Sequence, residues 1–211
     1  MEVLIHRLRQ RLSRVPQGPI APLDATSTPL RSAAVLVPVV DRLDGWTVLL
    51  TRRADHLSHH PGQVSLPGGR IDPLDTDATA AALREAHEEI GLEPEGVQVL
   101  GYLDDYRTLS SRFVITPVVG LIPEAFTPVV NPLEVAAVFE LPLATVLDAE
   151  YYQHHQWQTN GVTRWGFVLP HPEFHIWGAT AAILRGLALA MALEPRRRVS
   201  SAAPLMASSN A

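Results

Sequence analysis

Three carboxylates, Glu85, Glu88 and Glu89, form the densest chemistry in the chain. They lie in Arg84-Glu85-Ala86-His87-Glu88-Glu89-Ile90-Gly91, at the end of ATAAALREAHEEIG (78–91), a run rich in strong helix formers. On a helix Glu85 and Glu89 are four residues apart and Glu88 is three from Glu85, so all three lie near one face. Carboxylates so placed repel one another, and only Arg84, four residues before Glu88, offers local relief. A hard divalent cation resolves the repulsion, because Mg²⁺ takes oxygen ligands and keeps positions for water and phosphate. A solvated acidic helix face is the plain alternative for such a triplet taken alone. Upstream, Leu66-Pro67-Gly68-Gly69-Arg70 lets backbone amides approach an anion closely. A glycine loop, then a capped helix, then R-E-x-x-E-E-x-G points to metal-assisted chemistry on a phosphate compound.

The remaining inventory narrows the chemistry. The 211 residues include no cysteine and no lysine, so all 17 basic side chains are arginines. That excludes disulfides, thiolate metal sites, thiol nucleophiles, Schiff-base lysines and the Walker-type lysine. Arginine forks suit phosphate recognition. A net charge of −5 and a pI near 6.0, with no clustered lysine, argue against nucleic acid as the partner. No apolar run reaches the roughly 18–20 residues of a membrane span. The first residues interleave Arg with Val3, Leu4, Leu8 and Leu12 at helical spacing, unlike a signal peptide, so the cytoplasm is the expected location.

These residues need elements to hold them. Residues 1–15 read as an amphipathic helix and 16–31 as a Pro-rich connector. AAVLVPVV (33–40) and WTVLLTRR (46–53) read as strands joined by an Asp44-Gly45 turn. Residues 54–75 read as a long functional loop with one short strand at Gln63–Leu66. Asp75, Thr76 or Asp77 can cap the helix that follows, and Gly91 ends it. Further strands are expected over 97–108, 113–122 and 134–143, the last leading into a short helix. A hairpin around Asn160-Gly161 spans 150–169, and 178–194 is a buried apolar helix and a candidate dimer surface. The fold class is α/β of the α+β type, an α-β-α sandwich around a mixed sheet. The expected division is 1–30 as helix and connector, 31–194 as the domain, and 195–211, with Arg196–Arg198, as a disordered tail.

The order of loop and helix resembles the box of the Nudix hydrolases: Gly, five residues, Glu, seven residues, then Arg-Glu-apolar-any-Glu-Glu-any-Gly-apolar. Arg84, Glu85, Ala86, Glu88, Glu89, Gly91 and Leu92 match its second half. In the first half, Gly69 and five residues lead to Asp75, with one residue too many before Arg84. LLTRRADHLSHHPGQVSLPGG (49–69) resembles the signature of the coenzyme A pyrophosphatase branch through Leu49, Leu50, Thr51, Arg53, Leu57, Gly62, Pro67, Gly68 and Gly69. Ala54, Ser58 and Leu66 replace the expected Ser, Arg and Phe.

The resemblance implies cleavage of the coenzyme A pyrophosphate to 3′,5′-ADP and 4′-phosphopantetheine, with Mg²⁺ or Mn²⁺ as cofactor. It implies Glu85 and Glu89 as metal ligands and Glu88 as a third ligand or a holder of water. Arg84 would orient a helix carboxylate, and Glu134 would act as base or extra ligand. Thr51, Arg53, Gly68 and Gly69 are the expected substrate contacts. Arg52, Arg53, Arg70, Arg107 and Arg112 are candidates to meet the 3′-phosphate. The alternatives are another nucleoside diphosphate compound, such as ADP-ribose or a dinucleotide, or a non-catalytic nucleotide-sensing module. His59-His60 and His154-His155 read as solvated, and Trp157, Trp165, Trp177 and Phe174 as core.

Overall fold

Apolar side chains on alternate residues of the central strands point to opposite faces, and both faces are buried. In the computed structural model, residues 2–16, 30–108, 112–159 and 161–192 are described. Strand β1 (Arg31–Arg42) runs through the middle of the sheet. Its Ala34, Leu36 and Val40 face one layer, and its Val37 and Val39 face the other. Strand β2 (Gly45–Arg53) splits in the same way, Leu49 against Val48 and Leu50. This is why both runs read as nearly continuous apolar sequence.

The remaining elements follow in chain order. Helix α1 (Glu2–Arg11) precedes β1; β3 (Val64–Ser65), β4 (Gly68–Arg70) and helix α2 (Ala78–Ile90) follow β2. Then come β5 (Gln98–Tyr102), β6 (Tyr106–Arg107), β7 (Phe113–Ile122), β8 (Val135–Pro142) and helix α3 (Leu143–Leu147). The chain continues with β9 (Gln153–Thr159), β10 (Val162–Leu169), β11 (Ile176–Trp177) and helix α4 (Gly178–Ala192). Among the described residues, eight strands form one mixed sheet with the path β3-β2-β1-β7-β5, in which β1 and β7 are parallel. Strand β8 continues from β2, and β9, β10 and β11 form a separate antiparallel sheet.

Helix α2 covers one face of the large sheet through Ala78, Ala81, Ala82, Ala86 and Ile90. The opposite face packs against Leu8 and Leu12 at the N-terminus and Ile183, Leu184, Leu187 and Met191 of α4. The result is the expected α-β-α sandwich. The apolar side of α4 is thus spent inside the chain, although Leu189 stays 41% exposed.

Three local expectations are corrected. The long loop holds a second short strand, β4, whose Gly68, Gly69 and Arg70 pair with Val35, Ala34 and Ala33 of β1. Two glycines carry no strand propensity, so the pattern hides a strand formed by tertiary pairing. The run 97–108 breaks into β5 and β6, with an irregular register at Val99–Gly101. Strand β11 precedes α4 without any periodic signal of its own. Most of the Pro-rich connector, Asn160 of the hairpin turn and the tail from Pro195 lie outside the described residues.

Candidate active site

Helix α2 reaches the sheet closely because its buried face is mostly alanine. Of the three capping candidates, Asp77 caps it, its Oδ1 accepting the Ala80 N–H at 2.9 Å. Gly91 ends it at φ 67°, donating its N–H to the His87 carbonyl. The short helix-to-sheet distance lays Glu85 and Glu89 against β4. A Cβ on Gly69 would stand 2.5 Å from the carboxyl carbon of Glu85. Gly68 donates its N–H to Glu89 Oε2 at 3.3 Å. These two glycines serve as space for carboxylates as well as a flexible loop.

Gly68 also sits at φ 149°, and a Cβ there would strike the Ala34 carbonyl oxygen and lie 2.6 Å from Val35 Cα. Both obstacles are backbone and cannot swing aside. Gly68→Ala is therefore expected to destabilise the protein by on the order of 3 kcal/mol, about 10 °C in Tm. A thermal melt unchanged within about 2 °C would contradict the packing described for β4.

The third carboxylate comes from far along the chain. The segment 129–135 closes over the end of α2: Val129 donates to the Ile90 carbonyl at 2.9 Å and Asn131 to the Glu89 carbonyl at 3.0 Å. Orphan carbonyls at a helix end need such donors. The same segment is tied to β2 by the Ala54 N–H donating to the Glu134 carbonyl at 2.9 Å. Asn131 Nδ2 donates to Glu134 Oε1 at 3.3 Å. So anchored, Glu134 joins Glu85 and Glu89, with one carboxylate oxygen from each lying within 4.8 Å of the others. Among the described residues, this is the group of three acidic or histidine side chains compact enough for one ion.

Charge and burial pull against each other here. Glu89 is 2% exposed, and burial pushes its carboxyl up to about 8. Arg53, with Nη1 3.8 Å from Glu89 Oε1, and the Gly68 N–H oppose that rise, whereas Glu85 and Glu134 add to it. Glu85 is also raised, first by burial, with Arg84 opposing. Three convergent carboxylates, with Arg53 against Glu89 and Arg84 against Glu85, leave oxygen donors in excess of their arginine partners. That donor set, hard oxygen only, fits Mg²⁺ or Mn²⁺.

Arg84 organises the acidic residues around it. Its Nε and Nη2 hold both oxygens of Asp75 at 3.0 Å, and its Nη1 lies 3.0 Å from Glu85 and 3.2 Å from Glu88. Nη2 also donates to the Arg70 carbonyl at 3.2 Å. Asp75, at the position where the sequence pattern asks for glutamate, is thus a partner of Arg84, which holds its carboxyl below the usual range. Glu88 stands outside the compact group, 47% exposed and paired with Arg84.

The expected contacts of residue 51 are corrected. Thr51 is fully buried and bonds Ser65 Oγ at 2.9 Å, which leaves it no surface for a substrate. Arg53, Gly68, Gly69 and Arg70 do line a cleft of about 500 Å³ beside the carboxylates. Arg52 turns instead to Asp55. Trp157 and Trp177 border the cleft, against their reading as core. Trp165 is 64% exposed, while Phe174 stacks on Phe139 at 4.0 Å between centroids. Arg164, which no motif singles out, also lines the cleft. Its position opposite Trp157 in the hairpin is the one sequence-level signal available.

Known proteins resemble this chain across most of its length. A family profile described as NUDIX domain matches residues 30–160. A protein of Enterobacter sp. (strain 638) named "Uncharacterized Nudix hydrolase NudL" is 42% identical over 165 residues, covering 78% of this chain and 85% of that protein. One of the same name from Yersinia enterocolitica is 45% identical over 156 residues, covering 74% and 79%. A MutT/nudix family protein from Enterococcus faecalis has a similar fold, with TM-score 0.51, 15% identity, and coverage of 79% of this chain and 63% of that one.

Proposed function

The chain belongs to the Nudix hydrolase family, pyrophosphohydrolases of small nucleotide derivatives, and from that premise we propose that it cleaves coenzyme A or an acyl derivative. The products would be 3′,5′-ADP and 4′-phosphopantetheine. The observation that carries the hydrolytic site is the convergence of Glu85, Glu89 and Glu134 at a cleft bordered by Arg53 and Arg70. The resemblance of 49–69 to the coenzyme A pyrophosphatase signature supports the choice of substrate.

Glu85 and Glu89 would hold Mg²⁺ or Mn²⁺, with Glu134 facing the same point. An ion held there would supply neutralisation of the diphosphate oxygens and of charge on the leaving phosphate. The chain's own residues do the rest. Arg53 and Arg70 bind diphosphate oxygens, and Gly68 and Gly69 let the substrate approach the backbone. Arg84 orients Glu85 through their 3.0 Å pair. Glu134 takes the proton of the attacking water; Glu88 already shares its carboxylate with Arg84 and serves at the rim.

A substrate panel with Mg²⁺ or Mn²⁺ tests the reading. The expected outcome is a higher kcat/KM on coenzyme A than on ADP-ribose or a dinucleotide. The reverse order would remove coenzyme A as the substrate and leave the family activity in place.

A further inference from the structure

One wall of the cleft is made of residues that the three carboxylates do not need. In the antiparallel hairpin of β9 and β10, Trp157 lies directly opposite Arg164, and His155 opposite Gly166. Directly opposed residues share a face, so Trp157, Arg164 and Gly166 are neighbours on one side. Trp177 of β11, paired with Val168, extends that side. The other side carries Phe167, whose ring lies 4.3 Å from the Arg185 guanidinium of α4.

Gly166 makes the arrangement possible. A Cβ there would stand 2.6 Å from Cη2 of Trp157, so the indole lies across the strand because that position is bare. Trp177 meets Trp157 edge-on, with centroids 5.6 Å apart and planes at 88°. Trp157, Arg164 and Trp177 all line the cleft. Arg164 Nε is buried and has no hydrogen-bond partner among the described residues. Arg164 itself lines the cleft, and the remaining N–H groups of its guanidinium fork suit charge-assisted bonds to a phosphate oxygen there.

We propose that this wall is the subsite for the nucleoside half of the substrate. The base lies against Trp157 and Trp177, and Arg164 binds a phosphate carried on the ribose. The identity of that phosphate rests on the coenzyme A reading. The subsite separates a nucleotide with a ribose phosphate from one without it, whereas the carboxylate group acts on the diphosphate common to both.

The test is binding to the full chain, read by tryptophan fluorescence, with adenosine 3′,5′-bisphosphate and adenosine 5′-monophosphate as probes. The wild type is expected to bind the bisphosphate about tenfold or more tightly than the monophosphate. Arg164→Gln should erase that preference, and Arg164→Lys should keep part of it, which guards against a folding artefact in the first variant. Trp157→Leu should weaken both probes about tenfold, with Trp177 remaining as reporter. Persistence of the preference in Arg164→Gln, or unchanged binding in Trp157→Leu, overturns the subsite. If coenzyme A is cleaved best but the preference survives Arg164→Gln, the subsite falls and the substrate reading stands. An Arg164-dependent preference in an enzyme that favours ADP-ribose supports the subsite and removes the substrate reading.

Discussion

Glu89→Gln is expected to lower kcat by on the order of 10³-fold while leaving the fold intact, because it removes one of the anionic oxygens proposed to hold the metal, and with it several kcal/mol of charge stabilisation. The same change should alter stability in a direction set by burial. Glu89 is 2% exposed and its carboxyl is pushed from 4.5 up to about 8. Between those two values the unfolded chain has released a proton that the folded, metal-free chain keeps. The stability linked to Glu89 is therefore fully present below pH 4.5 and is lost as pH rises towards 8. Metal-free Glu89→Gln should melt above the parent near pH 8.5, and the gap should shrink towards about pH 5. Mg²⁺ should raise the parent's Tm at about pH 8 and scarcely move the variant's. Turnover equal to the parent's, or a variant less stable at both pH values, would remove Glu89 from the proposed site.

Arg84→Gln is expected to fail in a different way. It strips Asp75, whose side chain is 6% exposed, of both its 3.0 Å partners and releases Glu85 and Glu88 together. Breaking a fully buried pair costs about 3–5 kcal/mol; with Arg84 30% exposed, about 2 kcal/mol is expected, roughly 4–8 °C in Tm. Activity should fall about 10–100-fold, as for other residues that orient a ligand. Arg84→Lys should not rescue either loss, because a point charge cannot hold both oxygens of Asp75 and reach Glu85 and the Arg70 carbonyl. Wild-type behaviour in the lysine variant would reduce Arg84 to a general positive charge.

Two of the arginines, Arg84 and Arg164, show how far local pattern reaches. Arg84 is legible because its partners Glu85 and Glu88 are one and four residues away on the same helix. Asp75 is legible only as the acid that the motif spacing misplaces; its bond to Arg84 follows from how the loop folds back on α2. Arg164 is legible only as the hairpin residue opposite Trp157, not as part of the cleft. A strand shows which residues share a side, but not which side meets the cleft. Thr51 errs in the opposite direction: it sits in a signature run, yet it is fully buried, pairs with Ser65 of β3, and its hydroxyl is used by that residue.

The amino-acid sequence by itself determined the α-β-α class, the carboxylate-bearing helix with its glycine stop, and the pair Glu85–Glu89. Those depend on periods of two and 3.6 residues and on caps, which act within one turn or one strand. The tertiary structure decided that Glu134 completes the compact group and Glu88 stands at its rim. It also made a strand of Gly68–Arg70 and turned Trp157 and Trp177 from core to cleft wall. Each of these outcomes depends on elements distant in sequence packing at a particular depth and face, and no local period encodes that placement.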